Sequence, residues 1–246
     1  MLNRLKDFVP RLKDHLLPRI KAILEQETMS ASRGGPQSPN LGLSDTSLTE
    51  DNNSRLEGNS VLFKSDRMYR HNLLRLNYTT YDIRRSQDVV NPETTHCDIM
   101  LLANPDDMEA NSNHPFLYAR VLGIYHVNVV YVGMGMLDYT PRRLDFIWVR
   151  WFGYSECRSV AWKDCRLDSI RFPPMASNGA FGFVDPRDVL RGCHIIPRFA
   201  KGKVHSDGIG LSRCAGDTQD WQCYYVNRCG PFRAQFFSIQ EADNYG

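Results

Sequence analysis

From Leu144 to Tyr154 the chain reads LDFIWVRWFGY. Alternating branched and aromatic residues of this kind specify an extended segment, because successive side chains of a strand leave on opposite faces. Ile147, Val149 and Trp151 share one face, which reads as core. Phe146, Trp148, Arg150 and Phe152 share the other. Aromatic rings around one cation are too apolar for a free surface and too polar for an ordinary interior. That second face must meet a second packing layer, a ligand or a partner.

The stretches around it repeat the theme. CDIMLLA reads as a buried strand ended by NPDD, and FLYARVLGIYHVNVVYVG as one long bent strand or two, with Gly123 allowing a bulge or a close approach. VLFKSDRMYRHNLLRLNYTTYDIRR supplies one or two strands, with a helical turn around Arg67 to Leu73. GAFGFVDPRDVLRGCHIIPRF gives a strand, a Pro-initiated turn from Asp185 and another strand at Cys193 to Ile196; DWQCYYVNRC gives a last one. Short strands at this spacing, with little helix, predict a mainly β domain over residues 61–228, a closed or nearly closed barrel with loop excursions.

The N-terminal segment, residues 1–27, differs. Leu2, Leu5, Phe8, Leu12, Leu16, Ile20, Ile23 and Leu24 recur at helical spacing opposite Arg4, Lys6, Arg11, Lys13 and Lys21. Pro10 and Pro18 each remove a backbone donor, which predicts two or three short helices in place of one rod. Docking on its own domain explains such a helix more simply than contact with a membrane surface or DNA phosphates. Residues 28–60 are rich in Ser, Gly, Pro, Asn and acids and read as a disordered linker.

Among 246 residues, 30 Lys and Arg against 28 Asp and Glu leave a net charge of +2, too small to announce nucleic-acid affinity by itself. No apolar run approaches the ~20 residues that cross a bilayer, and the first 20 residues lack the apolar core of a secretory signal. The expectation is a soluble intracellular chain without membrane contact. Seven cysteines, an odd number without any C-x-x-C, argue for free buried thiols over disulfides or zinc.

No catalytic motif appears: there is no phosphate-binding loop, nucleophile elbow or metalloprotease helix. Asp98, Asp145, Asp185 and Asp188 each read as strand-end or turn residues. Cys193 and His194 are neighbours on opposite strand faces, unsuited to act as nucleophile and base. No cofactor, metal or small-molecule substrate is indicated, and the reading is non-enzymatic. Binding chemistry is better supplied. Trp148, Phe152 and Tyr154 could form an aromatic cage with Glu156 at its rim, or they could simply fill a second core, the reading that large aromatics favour. Arg84 and Arg85, Arg142 and Arg143, and Arg198, Lys201 and Lys203 could meet phosphates. Acids flank every one of these clusters but the last.

LNYTTYDIRRSQDVVNPETTHCDIMLLA, HPFLYARVLGIYHVNVVY, RLDFIWVRWFGY, FGFVDPRDVLRGCHIIPRFAKGK and DWQCYYVNR together resemble the C-terminal region of large fungal proteins encoded by Plavaka or KDZ-type, CACTA-like transposable elements. FVPRLKDHLLPRI resembles the segment just upstream. The resemblance implies a detached tail of a transposon-encoded protein, nuclear, with a transposase core, DNA or chromatin as partner and no catalytic role of its own. Two other readings follow from it: a non-functional remnant, or an auxiliary transposase domain whose acids converge in space. Residues 229–246, CGPFRAQFFSIQEADNYG, depart from the family's run after YYVNR in the way a frameshift or mis-splice would produce. A weaker likeness links Trp151-Phe152 and Arg191-Gly192-Cys193 to bromo-adjacent homology (BAH) chromatin modules, implying a small SH3-like or BAH-like barrel.

Overall fold

A computed structural model describes residues 7–32, 60–79, 84–103, 114–133, 139–154, 167–227 and 235–238. They fall into two units: Met1–Tyr69 with His126–Leu144, and Arg70–Tyr125 with Asp145–Gly246. The fold is mainly β, with a single α-helix among the described residues.

In the first unit, α1 (Phe8–Ser32) is one continuous helix of 25 residues, which corrects the expectation of several short ones. Pro10 is harmless because it lies in the first turn, where backbone N–H groups have no intrahelical acceptor. Pro18 does forfeit a bond. The helix survives it because Leu12, Leu16 and Ile20, spaced by four, are completely buried and Leu24 nearly so. At about 1.5–3 kcal/mol per buried aliphatic side chain, that stripe outweighs the ~3 kcal/mol of an interior proline. The helix also runs into the segment expected to be linker. There Thr28 and Ser30 donate their hydroxyls to the carbonyls of Glu25 and Gln26, a local bond open to Ser and Thr on a helix. Residues 33–59 lie outside the described residues.

Beside α1 stand β1 (Val61–His71), which pairs with β5 (Phe116–Tyr131), and the start of β6 (Arg142–Trp151). The helical turn expected near Arg67 is strand instead; the irregularity falls earlier, at Ser65 and Asp66, which take positive φ. Arg142 holds the last turns of α1 by donating Nε to both oxygens of Glu27 at 3.0 Å.

In the second unit three sheets form layers. One is β10 (Val189–Gly192), β4 (Asp98–Leu102), β5, β6 and β9 (Phe181–Val184), in that order. A second is β13 (Gln235–Ser238), β2 (Leu74–Thr79) and β3 (Arg85–Val90). The third is β11 (His194–Pro197), β12 (Tyr224–Asn227), β8 (Ser169–Arg171) and β7 (Gly153–Tyr154). Every ladder whose register is defined is antiparallel, and no sheet closes on itself among the described residues.

The first sheet is the middle layer. Ile99, Leu101, Ala119, Val121, Ile147 and Val149 meet Leu74, Leu76 and Val90 of the second sheet, with Trp151 partly buried against them. Its other face gives Met100, Tyr118 and Phe152 to a second core with Ile170, Ile195, Tyr224 and Val226. A strand buried on both faces reads as a continuous apolar run, which is why CDIMLL lacks alternation. Asp185 starts the expected turn, accepting from Arg187 N–H at 2.9 Å ahead of a 3-10 turn at Pro186–Asp188.

Candidate functional site

The second core is built around charge. In the β4–β5 register Asp98 stands opposite Arg120, so both side chains leave the same face. Arg120 donates Nε and Nη2 to the two oxygens of Asp98, at 2.9 and 3.3 Å. Its Nη1 lies 3.8 Å from Asp220 Oδ1. Arg150 Nη1 donates to Asp220 Oδ2 at 2.6 Å. Asp98, Arg150 and Asp220 are all buried, so the result is a chain of alternating charges inside the protein. Arg150 lays its guanidinium on Phe172, 3.8 Å from the ring centre, and its Nε–H finds no acceptor among the described residues. Phe172 stacks in turn on Phe152 at 4.0 Å, with Tyr224 edge-on to both.

Burial pushes the Asp98 and Asp220 carboxyls up, against the arginines that draw them down. Burial would lower Arg120, but the charge of Asp98, its hydrogen bonds and the nearby Cys97 and Tyr224 together hold the guanidinium above its ordinary value. Burial, followed by the charge of Asp98, raises the Cys97 thiol to about 12, and burial lifts Cys193 well above the usual thiol range. Neither sulfur is a nucleophile at neutral pH.

Outside this core, residues 198–222 form an excursion between β11 and β12. Its base is a short antiparallel bridge, Lys203 to Trp221, flanked by the bonds Gln222 N–H to Gly202 O and Val204 N–H to Asp220 O. Two 3-10 turns, Arg213–Ala215 and Asp217–Gln219, meet at Gly216, whose φ of 62° suits glycine. Buried Asp217 organises the loop by accepting from Leu211 N–H at 2.6 Å and Ser212 N–H at 2.9 Å. Burial alone would raise its carboxyl; those N–H donors and His205, 3.4 Å away, bring it below the ordinary value.

The excursion exposes what a core would keep. Phe199 is 67 % exposed, Val204 52 %, Ile209 70 % and Leu211 68 %. Arg198, Lys201 and Lys203 interleave with them, and no acid occurs between Arg198 and Ser206. Phe199 sets its edge on Trp221 at 5.0 Å; Arg198 lies 5.5 Å over Tyr225, and Lys203 5.8 Å over Trp221.

The other residues singled out from sequence are dispersed. Phe152 is an interior ring. Tyr154 donates its hydroxyl to the Phe116 carbonyl and lies 2.5 Å from Nδ1 of His114, whose Nε2 faces Asp168 at 3.2 Å. Trp148 packs near Phe181, at 6.2 Å. These three rings therefore have separate partners, and Glu156 lies outside the described residues. Arg84 and Arg85 are exposed at the start of β3, Arg143 is exposed in the first unit, and Arg142 is engaged by Glu27. Arg198, Lys201 and Lys203 share a loop with the exposed ring of Phe199, and Arg142 and Arg143 follow exposed Tyr139 in the chain. Sequence reading missed Asp98–Arg120 and Arg150–Asp220 as pairs; a lone Arg150 on an aromatic strand face was the signal for the second.

Compared with known proteins, the chain matches no family model, no curated protein and no solved structure.

Proposed function

We propose that the protein is a non-catalytic interaction module of transposable-element origin that holds DNA through the excursion at residues 198–222. The observation that carries this reading is the acid-free cluster of cations, Arg198, Lys201 and Lys203, set among exposed apolar side chains on one loop. The fold gains nothing from exposing Phe199, Ile209 and Leu211, so their use lies in contact with something else. Phosphates complement the cations, and rings beside them suit bases or sugars.

The acids support binding over catalysis. Asp98, Asp217 and Asp220 lie in or beside the second core, yet their oxygens serve Arg120, Arg150 and the Leu211 and Ser212 N–H groups. Carboxylates spent in this way make poor metal ligands or bases. The likeness to transposon-encoded proteins points to DNA or chromatin in the nucleus, alongside a transposase core. The BAH-like and SH3-like reading rests on Trp151-Phe152, at the end of β6, and on Arg191-Gly192-Cys193, at the end of β10 in the same sheet.

The test is fluorescence anisotropy with a labelled DNA duplex at about 50 mM salt. Replacing Arg198, Lys201 and Lys203 together by Glu is expected to weaken binding at least tenfold, roughly the effect of losing three phosphate contacts. The change should leave the melting temperature intact. Undiminished affinity in the triple variant, or no binding by the wild type, would contradict the proposal.

A further inference from the structure

The excursion contributes Val204, His205, Leu211 and Trp221 to the lining of a pocket of about 350 Å³. Pro173, Pro174 and Met175, from the turn that follows β8, line it together with Trp221 and Leu211 of the excursion. Arg150 and Asp220, both buried, also line it as a closed ion pair, 2.6 Å apart. Exposed Arg171 also lines the pocket, as do His205 and Gln222.

We infer that this pocket receives one nucleotide unit of an unpaired nucleic-acid strand, its base between Trp221 and the proline turn and its phosphate at Arg171. The inference rests on the reading that the excursion holds DNA, and deepens it. Three features fix the class of ligand. The walls are a flat ring, two prolines and a thioether, surfaces that stack or slide on a planar base. The volume falls in the range of small-ligand pockets, enough for a nucleoside and too little for a folded segment. The accessible charge is positive. Asp217 and Asp220 are 1–2 % exposed, with their oxygens on backbone N–H groups and arginines, whereas Arg171 is open to solvent and Lys203 stands over Trp221. A methylated ammonium would need exposed acid among the rings, and the acids here are closed off. Gln222 and His205 supply donors and acceptors for the edge of a base.

A duplex keeps its bases stacked and paired, so it can use the cations but not the pocket. The experiment uses the full chain with three probes: a labelled oligodeoxythymidine strand, a duplex of the same length, and free thymidine monophosphate. Tryptophan emission is recorded alongside anisotropy. The expected result is that the strand binds at least roughly tenfold tighter than the duplex and quenches emission. The quench should disappear in Trp221→Phe, and Arg171→Ala should weaken the strand about fivefold while changing the duplex less than about twofold. Arg171 is exposed, so that variant keeps the fold. Equal affinity for strand and duplex, with a Trp221→Phe signal like the wild type's, overturns the pocket assignment and leaves DNA binding standing. Absence of binding to either overturns both. Monophosphate binding as tight as the strand assigns the pocket to free nucleotides and overturns the strand.

Discussion

Asp220 ties the second core together, since Arg150, Arg120 and the Tyr224 hydroxyl all turn to it. Removing one partner of a buried pair strands the other's charge, which costs about 3–5 kcal/mol. Asp220→Ala is therefore expected to lose that much in urea denaturation, whereas Asp220→Leu combined with Arg150→Met should recover most of it. A loss below about 1 kcal/mol for the single change would mean that the pair contributes no more than a surface bridge. Thiol reactivity tests the same interior. Cys97, with its pKa pushed up to about 12 by burial, and Cys193 should resist iodoacetamide in the native protein at about pH 8. Exposed Cys214 should label. Peptide-resolved mass spectrometry reads each site, and rapid native labelling of Cys97 would contradict the packing described.

At the scale of elements, the excursion depends on one carboxylate. The folded Asp217 carboxyl lies below its ordinary value, so its contribution is fully present above the unfolded pKa of about 3.9 and is lost as pH falls through the lower folded value. Amide signals of Leu211 and Ser212 should shift together in acid, and in Asp217→Ala they should already be displaced at neutral pH; signals unmoved by either change would refute the role. Elements also show what sequence could and could not reveal. The alternation of Ile147, Val149 and Trp151 located β6 and its first core without help, because a period of two is a local property. The stripe at Leu12, Leu16 and Ile20 revealed α1, but weighing Pro18 against it required knowing that all three are completely buried. The Arg67 region reads as a turn by composition and becomes strand through pairing with β5, which no local pattern contains.

Over the whole molecule, the gap between expectation and structure lies in long-range pairing. Short alternating strands suggested a closed or nearly closed barrel; the second unit instead stacks three sheets, with Arg150 and Phe152, at the end of β6, turned toward the core shared with the third. The question posed by Arg150 is settled by Asp220, 70 residues away, and by Phe172, just after β8; the strand face showed that Arg150 needs a partner, but separations of that kind hide which one. On the surface, RFAKGK is legible in sequence as the basic cluster without flanking acid, and the structure sets it on a loop with exposed Phe199, Ile209 and Leu211.

Salt dependence of duplex binding tests the central claim most directly. The slope of log affinity against log salt concentration counts the phosphates engaged, at about 0.9 per contact. The double change Lys201→Ala and Lys203→Ala is expected to reduce that slope by nearly two units while the fold melts as before. A slope identical to the wild type's would show that the excursion does not hold DNA.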